Sequence, residues 1–96
     1  MDFDWDEDKN TRNIAKHKVG FDKAKEVFED KNRLDVESPQ KNEMRYLTIG
    51  KIVNLVYAVV YTFRNTVIRI ISARRASKKE RARYYRQNKE ENGITR

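Results

Sequence analysis

Ninety-six residues without a cysteine make one domain with a single modest core, and exclude a separate catalytic lobe, disulfides, a thiolate metal site and a cysteine nucleophile. Charged residues reach 39% and apolar residues only 38%, so the core must be compact. The net charge of +7 is unevenly placed: residues 1–30 carry six basic and nine acidic side chains, residues 64–96 eleven and three, which marks a polyanion-facing end. Nucleic acid is the commonest such polyanion. An anionic membrane is the weaker alternative, because the last predicted helix lacks a leucine or tryptophan face. The longest apolar run, Leu55 to Phe63, is too short to span a bilayer, and MDFDWDEDK is acidic where a signal peptide is basic then apolar. A cytoplasmic, non-membrane protein is expected.

In chain order, Phe3 and Trp5 alternate with aspartates as a short strand does. Asp6 then reads as the N-cap of a helix running to His17 or Lys18, with Glu7 and Asp8 in its first turn. Its apolar residues are few, mainly Ile14 and Ala15, which predicts packing through a narrow stripe. Gly20 ends the segment, and Phe21, Ala24, Val27 and Phe28 mark one face of a second helix ending near Asp30. Leu34 and Val36 alternate with charge as in an edge strand closed by Pro39, followed by a polar loop to Glu43. Tyr46 to Ile49 reads as the next strand and Gly50-Lys51 as a turn.

The most apolar stretch comes next. Leu55 to Tyr61 and Thr66 to Ala73 are dense in β-branched and aromatic residues, and the interruption at Arg64-Asn65 predicts an antiparallel hairpin. A two- or four-residue loop sets Val60 opposite Arg69, Tyr61 opposite Ile68 and Tyr57 opposite Ser72, while a three-residue bulged loop changes these facings. Ser77 and Glu80 then form a capping-box pattern, predicting a helix from Lys78 to about Lys89 whose sizeable apolar bodies are Tyr84 and Tyr85. Residues 88–96 are expected to fray. Strand, helix, helix, strands, helix is the order of an α+β fold with an antiparallel sheet.

Arg64, Arg69, Arg74 and Arg75 gather on the hairpin, and a mid-strand arginine needs a partner, a solvated face or a polyanion. Metal chemistry is poorly served: His17 is the only histidine, and the carboxylates of DFDWDED suit a helix start. The three glycines are isolated, so there is no phosphate loop. RNA cleavage needs less from a protein, since the 2′-hydroxyl is the nucleophile. Arginines neutralise the phosphate, and His17, Glu80 and Tyr84 are the titratable candidates for moving protons. Each also has a plainer explanation: His17 suits a helix end, Glu80 a capping box, and the tyrosines helix packing, with one of the two rings left over to stack on a base.

Two sets of residues carry a resemblance. The first is Phe3, Trp5-Asp6, Lys9, Asn13, Lys16-His17, Val19, Phe21, Ala24, Val27-Phe28 and Asp30. The second is Arg45-Tyr46, Ile49-Gly50, Val60-Tyr61-Thr62, Arg64, Arg69 to Arg74, Ala76, Glu80-Arg81 and Tyr84. Together they resemble the BrnT toxins of type II toxin–antitoxin systems, with Lys18 standing where that family usually has glycine. The resemblance implies a RelE-like fold, a small antiparallel sheet with two N-terminal helices and a C-terminal helix. It implies RNA cleavage that halts translation, without a cofactor. It also implies a BrnA-type ribbon-helix-helix antitoxin, in a hetero-oligomer that binds operator DNA through the antitoxin. The site it implies is Arg45, Arg64, Arg74 and Tyr84, with His17 and Glu80 belonging to the same pattern. Beside it, the basic residues themselves offer Arg69 and Arg75, whose facing the hairpin register decides, and Lys78 and Arg81 as further RNA contacts. A non-catalytic RNA- or DNA-binding module using the same basic face is the alternative, and a structural subunit the third reading.

Overall fold

The computed structural model describes residues 1–91. Five strands form one mixed sheet in the order β1-β5-β4-β3-β2, with β1 at Phe3–Trp5, β2 at Leu34–Pro39, β3 at Met44–Ile52, β4 at Leu55–Arg64 and β5 at Val67–Arg75. Helices α1 (Glu7–His17), α2 (Phe21–Ala24) continued by a 3-10 turn (Lys25–Glu29), and α3 (Lys78–Glu91) complete the α+β fold. Strands β2 to β5 pair antiparallel as the alternating sequence predicts. The exception is β1, which joins β5 in parallel because helical and strand segments separate the two along the chain.

Alternation divides the sheet into two faces. One carries Tyr46, Tyr57, Val59, Tyr61, Ile68, Ile70 and Ala73, and the N-terminal segments close it with Phe21, Ala24, Val27 and Phe28, all buried. Phe3 and Trp5 extend this core, their rings 5.3 Å from Phe28 and 6.0 Å from Phe21. Full burial of a side chain like Phe21 contributes about 2 to 3 kcal/mol. The other face carries Leu34, Leu47, Ile49 and Val56, over which α3 lays Tyr84 and Ala76. The rest of that second face is open in the sense that no helix is packed over it among the described residues, with Ala58 and Thr62 buried by their neighbours on the sheet.

Several local expectations shift. Helix α1 docks not through Ile14, which is 46% exposed, but through buried Asn13. Beyond β1 the edge of β5 has no strand beside it, and the Asn13 amide takes that place. Its Nδ2 donates to Ala73 O (2.8 Å) and Val19 O (2.9 Å), while Oδ1 accepts from Ala73 N (3.2 Å). Gly50 is no turn but a mid-strand point of close approach, where a Cβ would stand 2.5 Å from Val27. The β3–β4 turn is Val53-Asn54, with Val53 at φ 58°.

The β4–β5 turn falls at Asn65-Thr66, one position later than predicted, because Asn65 readily takes φ 58°. Arg69 therefore faces Thr62 rather than Val60, and Ile68 faces Phe63. A bulge then leaves Ile71 without a partner, so Tyr57 pairs with Arg75 rather than Ser72. At the C-terminal end α3 extends through Asn88 to Glu91, where fraying was expected; residues 92–96 lie outside the described residues.

Candidate nucleic-acid interface

Asp6 starts α1 by accepting from the backbone N–H groups of Asp8 (2.8 Å) and Lys9 (3.3 Å), and these hydrogen bonds, Lys9's foremost, hold its carboxyl below the usual carboxylate range. The register this start imposes puts Lys9, Arg12, Asn13, Lys16 and His17 on one helical face, spaced three and four apart. Because Asn13 is pinned to Ala73, that face is held against the bulge of β5. The result is a groove of about 380 Å³ between the α1 stripe and Ile71 and Ser72. Four of its seven lining residues are Lys9, Arg12, Lys16 and His17, and none is a carboxylate. His17 is half-buried at its end, while Lys9, Arg12 and Lys16 are exposed.

Register sets the predicted arginines on the adjoining open face. Arg45 and Arg69 lie on either side of Thr62, Arg64 is two residues along β4, and Arg74 and Ser72 follow Arg69 along β5. Arg75 falls on the opposite face, its guanidinium 5.9 Å from the Tyr57 ring centroid. Three of the four face arginines are already paired: Arg45 with Glu43 (2.7 Å), Arg69 with Asp4 (3.2 Å) and Arg74 with Glu80. Arg64 is exposed and has no carboxylate in ion-pair range among the described residues.

The Arg74–Glu80 pair is bidentate, at 2.8 and 3.0 Å. Glu80 also accepts from Ser77 N (2.7 Å) and Ser77 Oγ from Glu80 N (3.2 Å), so the capping box forms as predicted. The hydrogen bonds from Arg74 outweigh burial and bring the Glu80 carboxyl down to about 2, which makes it a feeble proton acceptor at neutral pH. Tyr84 is 4% exposed and donates to Asp30 Oδ2 at 2.6 Å. Burial and that carboxylate push its hydroxyl well above its ordinary range, so it holds its proton. The outward ring is Tyr85, 47% exposed, with Lys51 Nζ 5.2 Å from its centroid. Of the two α3 residues expected to contact RNA, Lys78 is exposed, and Arg81 donates to Ala76 O at 2.9 Å.

The geometry thus joins His17 to cations that sequence reading did not single out as a site. Lys9, Arg12 and Lys16 were visible as an i, i+3, i+7 series, but a search for apolar stripes passes over a basic one. Among the described residues no three of His, Cys, Asp or Glu stand together as metal ligands do. No helix there is long and apolar enough to cross a membrane.

No curated protein matches the chain. A family profile described as the ribonuclease toxin, BrnT, of type II toxin–antitoxin systems matches residues 5–80, a span that includes the whole α1 stripe, the open face and Glu80. With most of its length so matched, the chain belongs to the BrnT family of ribonuclease toxins.

Proposed function

We propose that the chain acts as one domain that cleaves RNA without a metal ion, using the α1–β5 groove to seat the scissile phosphodiester. The observation that carries this reading is the convergence of Lys9, Arg12, Lys16 and His17 beside Ser72 with no carboxylate among them. Cations gathered in one shallow groove without an ion-pair partner among the described residues favour a phosphate and the extra charge it gains as it is attacked. The 2′-oxygen attacks the adjacent phosphorus and the bond to the 5′-oxygen breaks, leaving a 2′,3′-cyclic phosphate and a 5′-hydroxyl. One proton leaves the 2′-oxygen and one reaches the 5′-oxygen. His17 handles one of these transfers and solvent the other, histidine being the side chain most often used for such work.

Arg64, exposed at the end of the open face, holds the strand, and Arg45, Arg69 and Arg74 line the same face with part of their charge already spent on Glu43, Asp4 and Glu80. Glu80 acts by fixing Arg74, and Tyr84 by anchoring α3, while Tyr85 offers the ring for stacking. Lys78, Arg81 and Arg75 are more distant contacts. A type II toxin has a protein antitoxin as its partner. For this chain we take that partner to be a BrnA-type ribbon-helix-helix protein, which buries the basic face and carries the complex to operator DNA. Cleavage in the cytoplasm then halts translation.

The test is incubation of purified protein with labelled RNA in EDTA. Products ending in 2′,3′-cyclic phosphate are expected, and His17→Ala should slow their formation by about 10² to 10⁴. Intact RNA held tightly by the protein would assign it instead to the non-catalytic binding modules.

A further inference from the structure

A second concavity lies at the far edge of the sheet from the α1–β5 groove. It has a volume of about 270 Å³ and is lined by Lys31, Asn32 and Arg33 ahead of β2, by Asp35 in β2, and by Arg83 and Gln87 from α3. Three cations meet one carboxylate, and Asp35 pairs with only one of them. Asp35 Oδ2 is 3.3 Å from Arg33 Nε, and Oδ1 accepts from the Tyr61 hydroxyl at 3.0 Å. Arg33 is held in place by donating from Nη1 to Phe28 O (3.0 Å), with its guanidinium 5.3 Å from the Phe28 ring centroid. Lys31 and Arg83 are exposed and have no carboxylate in ion-pair range among the described residues.

We infer that this cavity is a second phosphodiester site, which holds RNA some nucleotides away from the bond that breaks; the inference rests on the functional reading above. The cations come from two segments far apart in sequence, so their meeting is a product of the fold and not of a local charge run. Asn32 and Gln87 add neutral amides around the cavity. Ser72 of the second face lines one concavity and α3, which lies over that face, lines the other, while Arg33 and Asp35 turn round the β2 edge toward Phe28 and Tyr61 of the first face. From β5 to β2 is three interstrand steps, about 14 Å. An extended strand leaving the groove over the open face reaches the second cavity within a few nucleotides.

The test compares two non-cleavable 2′-O-methyl oligonucleotides, of about 4 and about 12 nucleotides, within the usual range of single-strand site sizes. The full chain should bind the longer one more tightly, and in the Lys31→Ala/Arg83→Ala double variant that advantage should shrink about tenfold, as expected for lost contacts to a charged group. Melting curves check folding, and Arg83→Gln provides a milder second variant. An unchanged advantage in both variants overturns the second site. Loss of affinity for an acidic peptide, with the advantage for long RNA intact, overturns it in favour of a protein ligand. Failure of the unaltered chain to bind either oligonucleotide is a different result, which removes the functional reading itself.

Discussion

Asn13 does with one amide what a neighbouring strand would do with its backbone, and three buried hydrogen bonds depend on it. Asn13→Ala leaves the Ala73 N–H and two carbonyls without partners, at roughly 1 to 3 kcal/mol for each buried group. A loss of about 3 kcal/mol or more is expected in a denaturant titration, and Asn13→Asp should do no better, since its carboxylate would face two carbonyl oxygens. Lys18 shows a neighbouring fault. It closes α1 at φ 63°, donating to Ile14 O at 2.9 Å, in a conformation that suits glycine and strains a lysine. Lys18→Gly should therefore stabilise the fold by about 1 kcal/mol, read as a melting temperature higher by about 5 °C. The sequence marked Lys18 as unusual without saying why; the left-handed turn supplies the reason. Gly50 misled in the opposite direction, because a glycine required by Val27 on another element looks the same in sequence as one required by a turn.

Helix α3 is an element with little apolar surface, and polar ties hold it at Glu80, at Tyr84 and at Asn88, whose Nδ2 donates to Asn32 O at 3.3 Å. At its start, Glu80 is drawn down to about 2, first by the hydrogen bonds from Arg74 and against the cost of burial, while an unfolded chain titrates it near its ordinary 4.5. A folded carboxyl that resists protonation contributes stability fully present above about pH 4.5 and lost as pH falls toward 2. Thermal melts across that window should fall more steeply for the unaltered chain than for Glu80→Gln. Further along, Asp30 is pulled between burial, which raises its carboxyl, and three hydrogen bonds led by Tyr84, which win and lower it. Tyr84→Phe should cost about 1.5 to 3 kcal/mol, the worth of a hydrogen bond to a charged group, measured by chemical denaturation. The capping box of Ser77 and Glu80 was legible because its spacing is local. The hairpin offset was not, because Arg64-Asn65 and Asn65-Thr66 are nearly equal candidates until the rest of the sheet selects one.

Across the whole molecule, charge counted along the chain pointed to the C-terminal third, yet the groove lies on a helix from the acidic N-terminal third. Such counting averages over helix faces: Glu7 and Asp8 sit in the first turn of α1, while Lys9, Arg12, Lys16 and His17 share one side. The α+β class was readable from periodicity, but the shared face of Arg64 and Arg74 was not, because it depends on the turn at Asn65-Thr66 and on the bulge at Ile71. The ion pairs that consume Arg45 and Arg74 could not be seen before the strands were in place. The logarithm of RNA affinity should fall linearly with the logarithm of salt concentration, and Arg12→Ala should flatten that slope by about 0.7, the loss of one phosphate contact. The pairing of β1 with β5 has a further result. The groove needs both α1 and, four strands later, Ile71 and Ser72 of β5, so neither segment contains it alone. Cutting the polypeptide ahead of β5 therefore removes one wall of the cleft and leaves the α1 cations on a helix that has lost its dock.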